Sequence, residues 1–315
     1  MYNGVAVSAQ LLSQNEKYRE VVKKYFQVLT PENEMKWDVI QKQQGVYDFK
    51  AADLIIAFAN ENSRSYRIHT IVWHRQVSQW LNALSADELQ KATRDHIDKL
   101  ISRYDKAVAI DVCNEIVDDN AQIRQNLWRQ KLGEDDYFVE IYQAARLLAQ
   151  KYNKNLKLFL NDYSIEGINQ KSNKVLQLAT KLKQKGLLDA VGMQAHLEVG
   201  KVPKDMKKNM ERFIAAGLEV AITELDIRMQ VPGGKNATTQ QKADFQEVFA
   251  ICKSLPKCLG ITVWGVNEAQ SWIPHEFPGW GNGLLFQDDF SPKDFATALL
   301  SSNQQPQRSK ISRYS

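Results

Sequence analysis

The stretch that decides the fold runs Ala190-Val-Gly-Met-Gln-Ala-His196, then a helical pattern over Lys204–Ala216, then Glu219-Val-Ala-Ile-Thr-Glu-Leu-Asp226. Both outer runs are apolar and lack strict alternation with polar residues, which is typical of strands buried on both faces. Two such strands joined through a helix predict a parallel sheet. Both strands end on polar side chains, so this stretch also indicates where the sheet carries its chemistry.

The same alternation of strand and helix extends along all 315 residues. The strand-like runs are Gly4–Ser8, Phe26–Thr30, Tyr66–Trp73, Val108–Glu115, Leu156–Asp162, Ala190–His196, Glu219–Asp226 and Gly260–Val266. The helical patterns are Asn15–Tyr25, Ala51–Asn62, Ser85–Tyr104, Asp135–Asn153, Ser172–Lys185, Lys204–Ala216, Thr239–Leu255 and Pro292–Leu300. Eight such units predict a single closed (β/α)8 TIM barrel.

An open doubly wound sheet is the competing α/β fold. It would usually carry a glycine-rich phosphate turn after its first strand, and Gly4–Ser8 is followed by none. We therefore expect one barrel domain over residues 1–303. A polar, basic tail over 304–315 is expected to be poorly ordered.

Charge and composition exclude several classes of protein. The chain has 41 Lys and Arg against 37 Asp and Glu, a net charge of +4, and the two signs are interleaved. This pattern predicts no nucleic-acid partner. A hydrophobic content of 43% excludes a wholly disordered chain. No apolar run approaches the ~20 residues of a membrane span, so we expect no membrane partner.

The cysteines and the amino terminus bear on the compartment. Cys252 and Cys258 flank a short loop, which a disulfide could close, although two buried thiols fit the spacing equally well. Cys113 lies in an apolar run and is expected to be an inert core residue. The sequence from Met1 enters a strand at once and shows no signal peptide, so the protein is either cytoplasmic or has lost its signal.

Polar and aromatic side chains cluster at the carboxyl ends of the predicted strands, where a barrel has its active site. In chain order they include Glu32, Asn33, Lys36, His69, Trp73, His74, Gln76, Asn114, Glu115, Asn161, Asp162, Tyr163, Gln194, His196, Glu224, Asp226, Trp264, Asn267 and Trp272. Any one of them could be a helix cap or a solvated loop residue. Because seven of the eight strands end in this way, we predict an active site there.

Two glutamates suggest the chemistry. Glu115 ends the fourth strand and Glu224 the seventh, so both would face one barrel mouth. In a pair of carboxyl groups, one can stay ionised while burial and the neighbouring charge keep the other protonated, as glycoside hydrolysis requires. The alternative is that each glutamate forms a structural ion pair, but neither has a basic neighbour in sequence.

Spacing along the strands also predicts which side chains contact Glu224. Glu224 and Asp226 lie on the same side of one strand, and His196 ends the strand beside it, so the imidazole can sit between the two carboxylates. The alternative is that the histidine and the carboxylates bind a zinc ion. The five histidines form neither a His-x-His nor a His-Glu-x-x-His motif, so we expect no metal and no cofactor.

The aromatic residues suit a sugar. Trp73, Tyr163, Trp264 and Trp272 lie at strand ends or in the loops that follow them, where flat rings could pack against pyranose faces. Trp73 and Trp264 could instead pack in the upper layer of the barrel. For Trp37 and Trp128 packing is the favoured reading.

The chain from Gly4 to about Leu300 resembles the catalytic domain of glycoside hydrolase family 10, the endo-β-1,4-xylanases. The motifs that carry this resemblance are Phe26-Gln-Val-Leu-Thr-Pro-Glu-Asn-Glu-Met-Lys-Trp37, His69-Thr-Ile-Val-Trp-His-Arg-Gln76, Asp111-Val-Cys-Asn-Glu115, Asn161-Asp-Tyr163, Val191-Gly-Met-Gln-Ala-His196, Thr223-Glu-Leu-Asp-Ile227, Val263-Trp-Gly265 and Ser271-Trp272. Together, in order and on successive strands, they are highly specific.

The resemblance implies hydrolysis of xylan and xylo-oligosaccharides by a retaining double displacement. It implies that Glu115 is the acid/base, that Glu224 is the nucleophile, and that Asn114 binds the 2-hydroxyl of the attacked sugar. His196 and Asp226 would orient Glu224. The residues expected to bind sugar on the glycone side are Glu32, Asn33, Lys36, His69, Trp73, Gln76, Gln194, Trp264 and Trp272, with Tyr163 on the aglycone side.

The resemblance also implies a disulfide between Cys252 and Cys258, and hence a secreted, extracellular protein; we expect a monomer. This chain has Arg75 and Asn267 where the family usually has Ser and Asp, and both are expected beside the cleft. Two alternatives remain: a related β-1,4-glucanase, and a non-catalytic carbohydrate-binding barrel. The latter would normally lack one of the two glutamates, and both are present.

Overall fold

The computed structural model describes residues 1–133 and 136–301. Its strands are β1 (Tyr2–Val7), β2 (Val28–Pro31), β3 (Ser65–Val72), β4 (Ala109–Asn114), β5 (Lys157–Asp162), β6 (Ala190–Met193), β7 (His196–Glu198), β8 (Glu219–Gln230), β9 (Cys258–Val263) and β10 (Trp280–Gly281). Its α-helices are α1 (Ala9–Gln14), α2 (Glu16–Tyr25), α3 (Trp37–Ile40), α4 (Lys50–Glu61), α5 (Ala86–Arg103), α6 (Leu127–Leu132), α7 (Tyr137–Tyr152), α8 (Gln170–Gln184), α9 (Met206–Ala215), α10 (Lys235–Ser254), α11 (Ile273–Glu276) and α12 (Ala296–Ser301).

Eight parallel strands close into a barrel, which confirms the predicted fold. Strands β1 to β6 pair in chain order, β6 pairs with β8, and β8 with β9. The ring closes where β9 pairs in parallel with β1. All eight carboxyl ends therefore emerge at one rim.

Apolar packing lies mainly between the strands and the surrounding helices. Trp37 and Trp128 are buried there, as the sequence suggests, with their ring centroids 6.3 Å apart. The barrel interior is different. Phe159 packs there among small alanines, and the guanidinium of Arg67 lies 4.7 Å from its ring centroid and 2.5 Å from Asp111 Oδ1. The interior thus buries an ion pair directly below the rim.

Some element bounds differ from the sequence prediction. The sixth strand is interrupted between β6 and β7, where Ala195 has a φ of 63°. The helix predicted from Asn15 is preceded by a separate helix, α1, and the last helix begins at Ala296 rather than Pro292. The tail 304–315 lies outside the described residues.

Cys252 and Cys258 form a disulfide, and Cys113 is a free, buried thiol. Denaturation without reductant should therefore expose one thiol per chain to a thiol reagent, and none in Cys113→Ala. Removing the bridge in a Cys252→Ser/Cys258→Ser variant should lower the free energy of unfolding by ~2 kcal/mol, because the bridge restricts the unfolded chain. A count of three thiols in the wild type would contradict the bridge.

Candidate active site

A cleft of 780 Å³ opens at the carboxyl ends of the strands. The predicted site residues that line it are Glu32, Asn33, Lys36, His69, Trp73, Gln76, Asn114, Glu115, Tyr163, Gln194, His196, Glu224, Trp264 and Trp272. Asp226 lies behind this surface, fully buried. Strands β2 to β9 thus bring the predicted residues into one place.

Glu224 lies at the floor of the cleft, nearly buried, and both of its carboxylate oxygens have partners. Oε1 accepts a hydrogen bond of 2.7 Å from Asn161 Nδ2, and Oε2 lies 3.2 Å from Nε2 of His196. The other ring nitrogen of His196 lies 2.8 Å from Asp226 Oδ2. The imidazole therefore sits between two carboxylates.

The charge on His196 follows from this position. Burial lowers the pKa of the imidazole, but the charges and hydrogen bonds of Asp226 and Glu224 outweigh burial and raise the pKa to about 10. His196 is therefore an imidazolium at neutral pH. Trp272 Nε1 donates to the same Asp226 oxygen over 2.8 Å, which fixes the carboxylate from the other side.

Glu115 has different surroundings. Its Oε1 accepts hydrogen bonds from Gln194 Nε2 at 3.1 Å and Asn114 Nδ2 at 3.4 Å, and its Oε2 lies 3.6 Å from His74 Nδ1. Its backbone φ is +54°, a left-handed conformation that is uncommon outside glycine. Neutral amides and one histidine, rather than a fixed cation, contact this carboxylate.

The pKa of Glu115 differs from the sequence expectation that burial would keep one carboxyl protonated. Burial does act to raise the pKa of Glu115. Contacts with Trp73 and Gln194 act in the opposite direction, as do the positive charges of His74 and Arg124. The balance places the pKa of Glu115 below its ordinary value, so the free protein holds this group ionised at neutral pH.

Asn161 connects the two carboxylates. The sequence predicts it at the rim of the barrel but gives it no catalytic or binding role. Its Nδ2 donates to Glu224 Oε1 and also, over 2.8 Å, to Oδ1 of Asn114, which neighbours Glu115. Asn161 and Asn114 are paired in register across β4 and β5. Its place at the end of a strand, next in the barrel to Asn114, is the signal that puts it in the predicted site.

The side chain of Asn161 fits because residue 192 is glycine. A Cβ at Gly192 would lie 2.2 Å from Asn161 Oδ1 and 2.7 Å from Thr223 Cγ2. Asn161 Oδ1 in turn accepts a 2.5 Å hydrogen bond from the Thr223 hydroxyl. The amide is thereby oriented with its Nδ2 towards Glu224.

Polar side chains form a connected group at one end of the cleft. Lys36 Nζ donates to Asn33 Oδ1 at 2.9 Å and Gln76 Oε1 at 2.8 Å, and it lies 4.5 Å from the ring centroid of Trp73. Burial lowers the pKa of Lys36, against the raising effect of nearby carboxylates. This arrangement places amides and an ammonium, which can hydrogen-bond to hydroxyl groups, beside the flat face of an indole ring, which can pack against a sugar ring.

Tyr163 lies at the other end with charged neighbours that sequence reasoning missed. Its hydroxyl donates to Asp119 Oδ1 at 2.6 Å and accepts from Arg124 Nη2 at 2.8 Å. The cleft residues absent from the prediction are Asp119, Arg124, Ser164, Arg228, His275, Glu276 and Phe277. Most are on loops, where strand periodicity carries no signal.

The two departures from the family pattern differ in position. Arg75 lines the cleft, and its Nη1 lies 3.8 Å from Glu276 Oε2. Asn267 is buried, and its Nδ2 donates to the backbone oxygen of Asp288 at 3.0 Å. It is not among the residues that line the cleft.

Over residues 1–133 and 136–301, no group of three or more His, Cys, Asp and Glu side chains is arranged to hold a metal ion. Within the same residues, no helix is both long and apolar enough to span a membrane.

Comparison with known proteins places these features in a family. The family model described as "Glycosyl hydrolase family 10" matches residues 1–302 of this chain. Endo-1,4-beta-xylanase B of Thermotoga neapolitana is 35% identical over 284 residues, which are 88% of this chain and 81% of that protein. An endo-1,4-beta-xylanase of Agaricus bisporus is 34% identical over 85% of this chain and 80% of its own.

Solved structures agree. A glycosylated family 10 endo-beta-1,4-xylanase from Gloeophyllum trabeum superposes with a TM-score of 0.90 at 36% identity, covering 96% of this chain and 95% of that one. Xylanase 10B of Thermotoga petrophila, solved in complex with xylobiose, has a TM-score of 0.90 at 33% identity, covering 96% and 94%.

The Asp226→Asn variant should bring the titration of His196 into an accessible range. In the wild type, the raised pKa means that protonation of His196 stabilises the fold fully below about pH 6.5, and this stabilisation is lost as pH rises through about 10. Without the Asp226 charge, we expect the loss to begin at lower pH, as measured by NMR titration of the imidazole and by urea unfolding. Asp244→Asn, at another buried aspartate, should leave the His196 titration unchanged. An unaltered His196 titration in Asp226→Asn would contradict the assignment.

The Gly192→Ala variant should push the Asn161 amide away from Glu224. We expect the rate of glycoside hydrolysis, as kcat/KM, to fall by roughly 10–100-fold, the kinetic equivalent of one lost hydrogen bond to a charged group. Gly234→Ala is the matched control, because a Cβ at Gly234 would meet nothing within 4 Å. Equal rates for the two variants would show that the close approach at Gly192 is unimportant.

Proposed function

The chain belongs to glycosyl hydrolase family 10, and we propose that it is an endo-1,4-β-xylanase that hydrolyses internal bonds of xylan with retention of configuration. The observation that carries this proposal is the pair of carboxylates, Glu115 and Glu224, lining one cleft in unlike surroundings. A double displacement needs one group that remains a nucleophile and another that exchanges protons.

Glu224 suits the nucleophile. Its contacts with His196 and with Asn161 hold the carboxylate in one orientation. In the first step, Glu224 attacks the anomeric carbon, the bond from that carbon to the leaving oxygen breaks, and a glycosyl ester forms. The ester neutralises the carboxylate charge, and Asp226 continues to balance the imidazolium.

Glu115 suits the acid/base. In the first step it donates its proton to the leaving oxygen, and in the second it takes a proton from the water that cleaves the ester. Its contacts with Gln194 and Asn114 can serve either protonation state, because an amide keeps its place when the carboxyl gains a proton. In the free enzyme its pKa is below the ordinary value, so we expect the alkaline limb of kcat/KM at acidic pH.

The cleft supports a β-1,4-linked pentose polymer as the substrate. It carries indole rings, amides and the Lys36 ammonium at one end and Tyr163 at the other. The family relatives named above are xylanases, and one was solved with xylobiose. Digests of xylan and of carboxymethylcellulose, resolved by chain length, test the substrate; faster release from cellulose would indicate a glucanase.

We also propose that the protein acts outside the cell, as a monomer. The bridge between Cys252 and Cys258 supports this location, because disulfides persist in oxidising compartments.

Replacing each glutamate by alanine should separate the two roles. Glu224→Ala should abolish hydrolysis of every substrate, because no glycosyl ester can form. Glu115→Ala should still release a good phenol leaving group in a burst, followed by a slow steady state, because no base activates water. Azide should restore turnover of Glu115→Ala and yield a β-glycosyl azide, identified by NMR.

The wild type should show a bell-shaped pH profile whose alkaline limb flattens in Glu115→Ala. If azide instead rescues Glu224→Ala with retention and leaves Glu115→Ala inactive, the two roles are reversed.

A further inference from the structure

Arg124 lies in the loop after β4 and holds the backbone that carries Glu115. Its Nε donates to the Glu115 carbonyl oxygen at 2.8 Å, and its Nη2 donates to the Val117 carbonyl oxygen at 3.3 Å. Its own backbone N–H donates to the Ile116 carbonyl oxygen at 2.7 Å. Three consecutive carbonyl groups thus converge on one residue.

The backbone that Arg124 holds is strained. Glu115 has a φ of +54°, and a non-glycine residue keeps such a conformation only where its surroundings fix it. The N–H of Glu115 donates to the Asn161 carbonyl oxygen at 2.9 Å, which fixes one side of the residue. Arg124 fixes the other side through the carbonyl oxygen, so the direction of the Glu115 side chain depends on both contacts.

The same guanidinium reaches the opposite side of the cleft end. Nη2 of Arg124 donates to the Tyr163 hydroxyl at 2.8 Å. Tyr163 is itself held: its hydroxyl donates to Asp119, and Lys171 Nζ lies 3.1 Å from its ring centroid. Arg124 is therefore a direct link between the backbone of Glu115 and the side chain at the end of the cleft where the leaving sugar would bind.

A second link runs beside the first. Asp162 is fully buried, and its Oδ2 accepts a hydrogen bond of 3.2 Å from the Val117 N–H. Its Oδ1 lies 3.0 Å from Lys171 Nζ. Two backbone N–H groups of the turn 115–117 therefore bind the end of β5: that of Glu115 binds Asn161, and that of Val117 binds Asp162.

We propose that Arg124 is a positioning residue that aims the Glu115 carboxyl at the leaving-group oxygen and couples that aim to Tyr163. The inference rests on the proposed function, in which Glu115 is the acid/base. Arg124 acts through Glu115 and Tyr163, and its effect is on the proton transfer rather than on the attack by Glu224.

Moving the Glu115 carboxyl out of position should lower kcat/KM most for substrates whose leaving group must be protonated. In Arg124→Lys, we expect kcat/KM to fall ~10²-fold for xylo-oligosaccharides, within the usual contribution of general acid catalysis. For a dinitrophenyl xylobioside, whose phenolate leaves without protonation, the fall should be less than about threefold. A merely structural role would lower both rates alike.

The pH profile distinguishes two effects of Arg124: its effect on the orientation of the Glu115 carboxyl and the effect of its charge on the pKa of that carboxyl. Charged or titratable groups that act electrostatically on Glu115 include Lys36 after β2, His74 after β3, Arg124 after β4 and Asp162 on β5. Arg124→Gln removes one positive charge and should raise the pKa of Glu115, which moves the alkaline limb to higher pH. Arg124→Lys keeps the charge, so its alkaline limb should stay in place while the leaving-group dependence appears.

Two further variants complete the design. Tyr163→Phe removes the hydroxyl that accepts from Arg124 and should produce the same leaving-group dependence at smaller size. Arg146→Gln is the control, because Arg146 also joins two elements, through a 2.8 Å contact with Asp189, but lies outside the cleft. It should leave both rates unchanged.

The phenol burst counts folded active sites, so loss of folded protein is not mistaken for loss of rate. Equal losses on both substrates in Arg124→Lys and in Tyr163→Phe, or no loss in either, would overturn the inference. If the wild type cleaves neither xylo-oligosaccharides nor the xylobioside, the proposed function itself fails.

Discussion

Parallel closure of the sheet is the constraint on which the site depends. Where β9 pairs with β1, from Tyr2 opposite Gly260 to Val5 opposite Val263, the ring of eight parallel barrel strands closes with all eight carboxyl ends at the same rim. Glu115 and Glu224 are separated by 109 residues (224 − 115), yet both line one cleft because β4 and β8 end at that rim. The chemistry thus follows from backbone pairing far from the reacting atoms.

The interior below the rim is charged, which is costly unless each charge has a partner. The guanidinium of Arg67 is paired with Asp111, whose other oxygen lies 2.9 Å from His69 Nδ1. His196 is paired with Asp226 in the same way. Asp111 and Asp226 therefore each orient a histidine that lines the cleft.

Much of this arrangement follows from the sequence, and the exceptions have physical causes. Strand runs and the residues that end them are readable because parallel strands are apolar on both faces and their ends are polar. The break at Ala195 is not readable, because it depends on a left-handed backbone at a residue other than glycine. The role of Arg124 could not be predicted from the sequence for another reason. It lies nine residues beyond Glu115 (124 − 115) in a loop, and only the fold brings its guanidinium back to that residue. The pKa of Glu115 is likewise a sum over contacts from several strands.

The unlike environments of the two glutamates match the unlike roles proposed for them. A nucleophile keeps one protonation state until it forms a bond, so a fixed imidazolium at 3.2 Å suits Glu224. An acid/base gains and loses a proton in each turnover, and a permanent close cation would oppose its protonation. Among the described residues, His74 at 3.6 Å is the ionisable group in direct contact with the Glu115 carboxylate, while the permanent cation Arg124 directs its hydrogen bonds to the backbone and to Tyr163. The protein thus uses a strong charge to fix the position of Glu115 through its backbone, and the same charge also lowers the pKa of the Glu115 carboxyl.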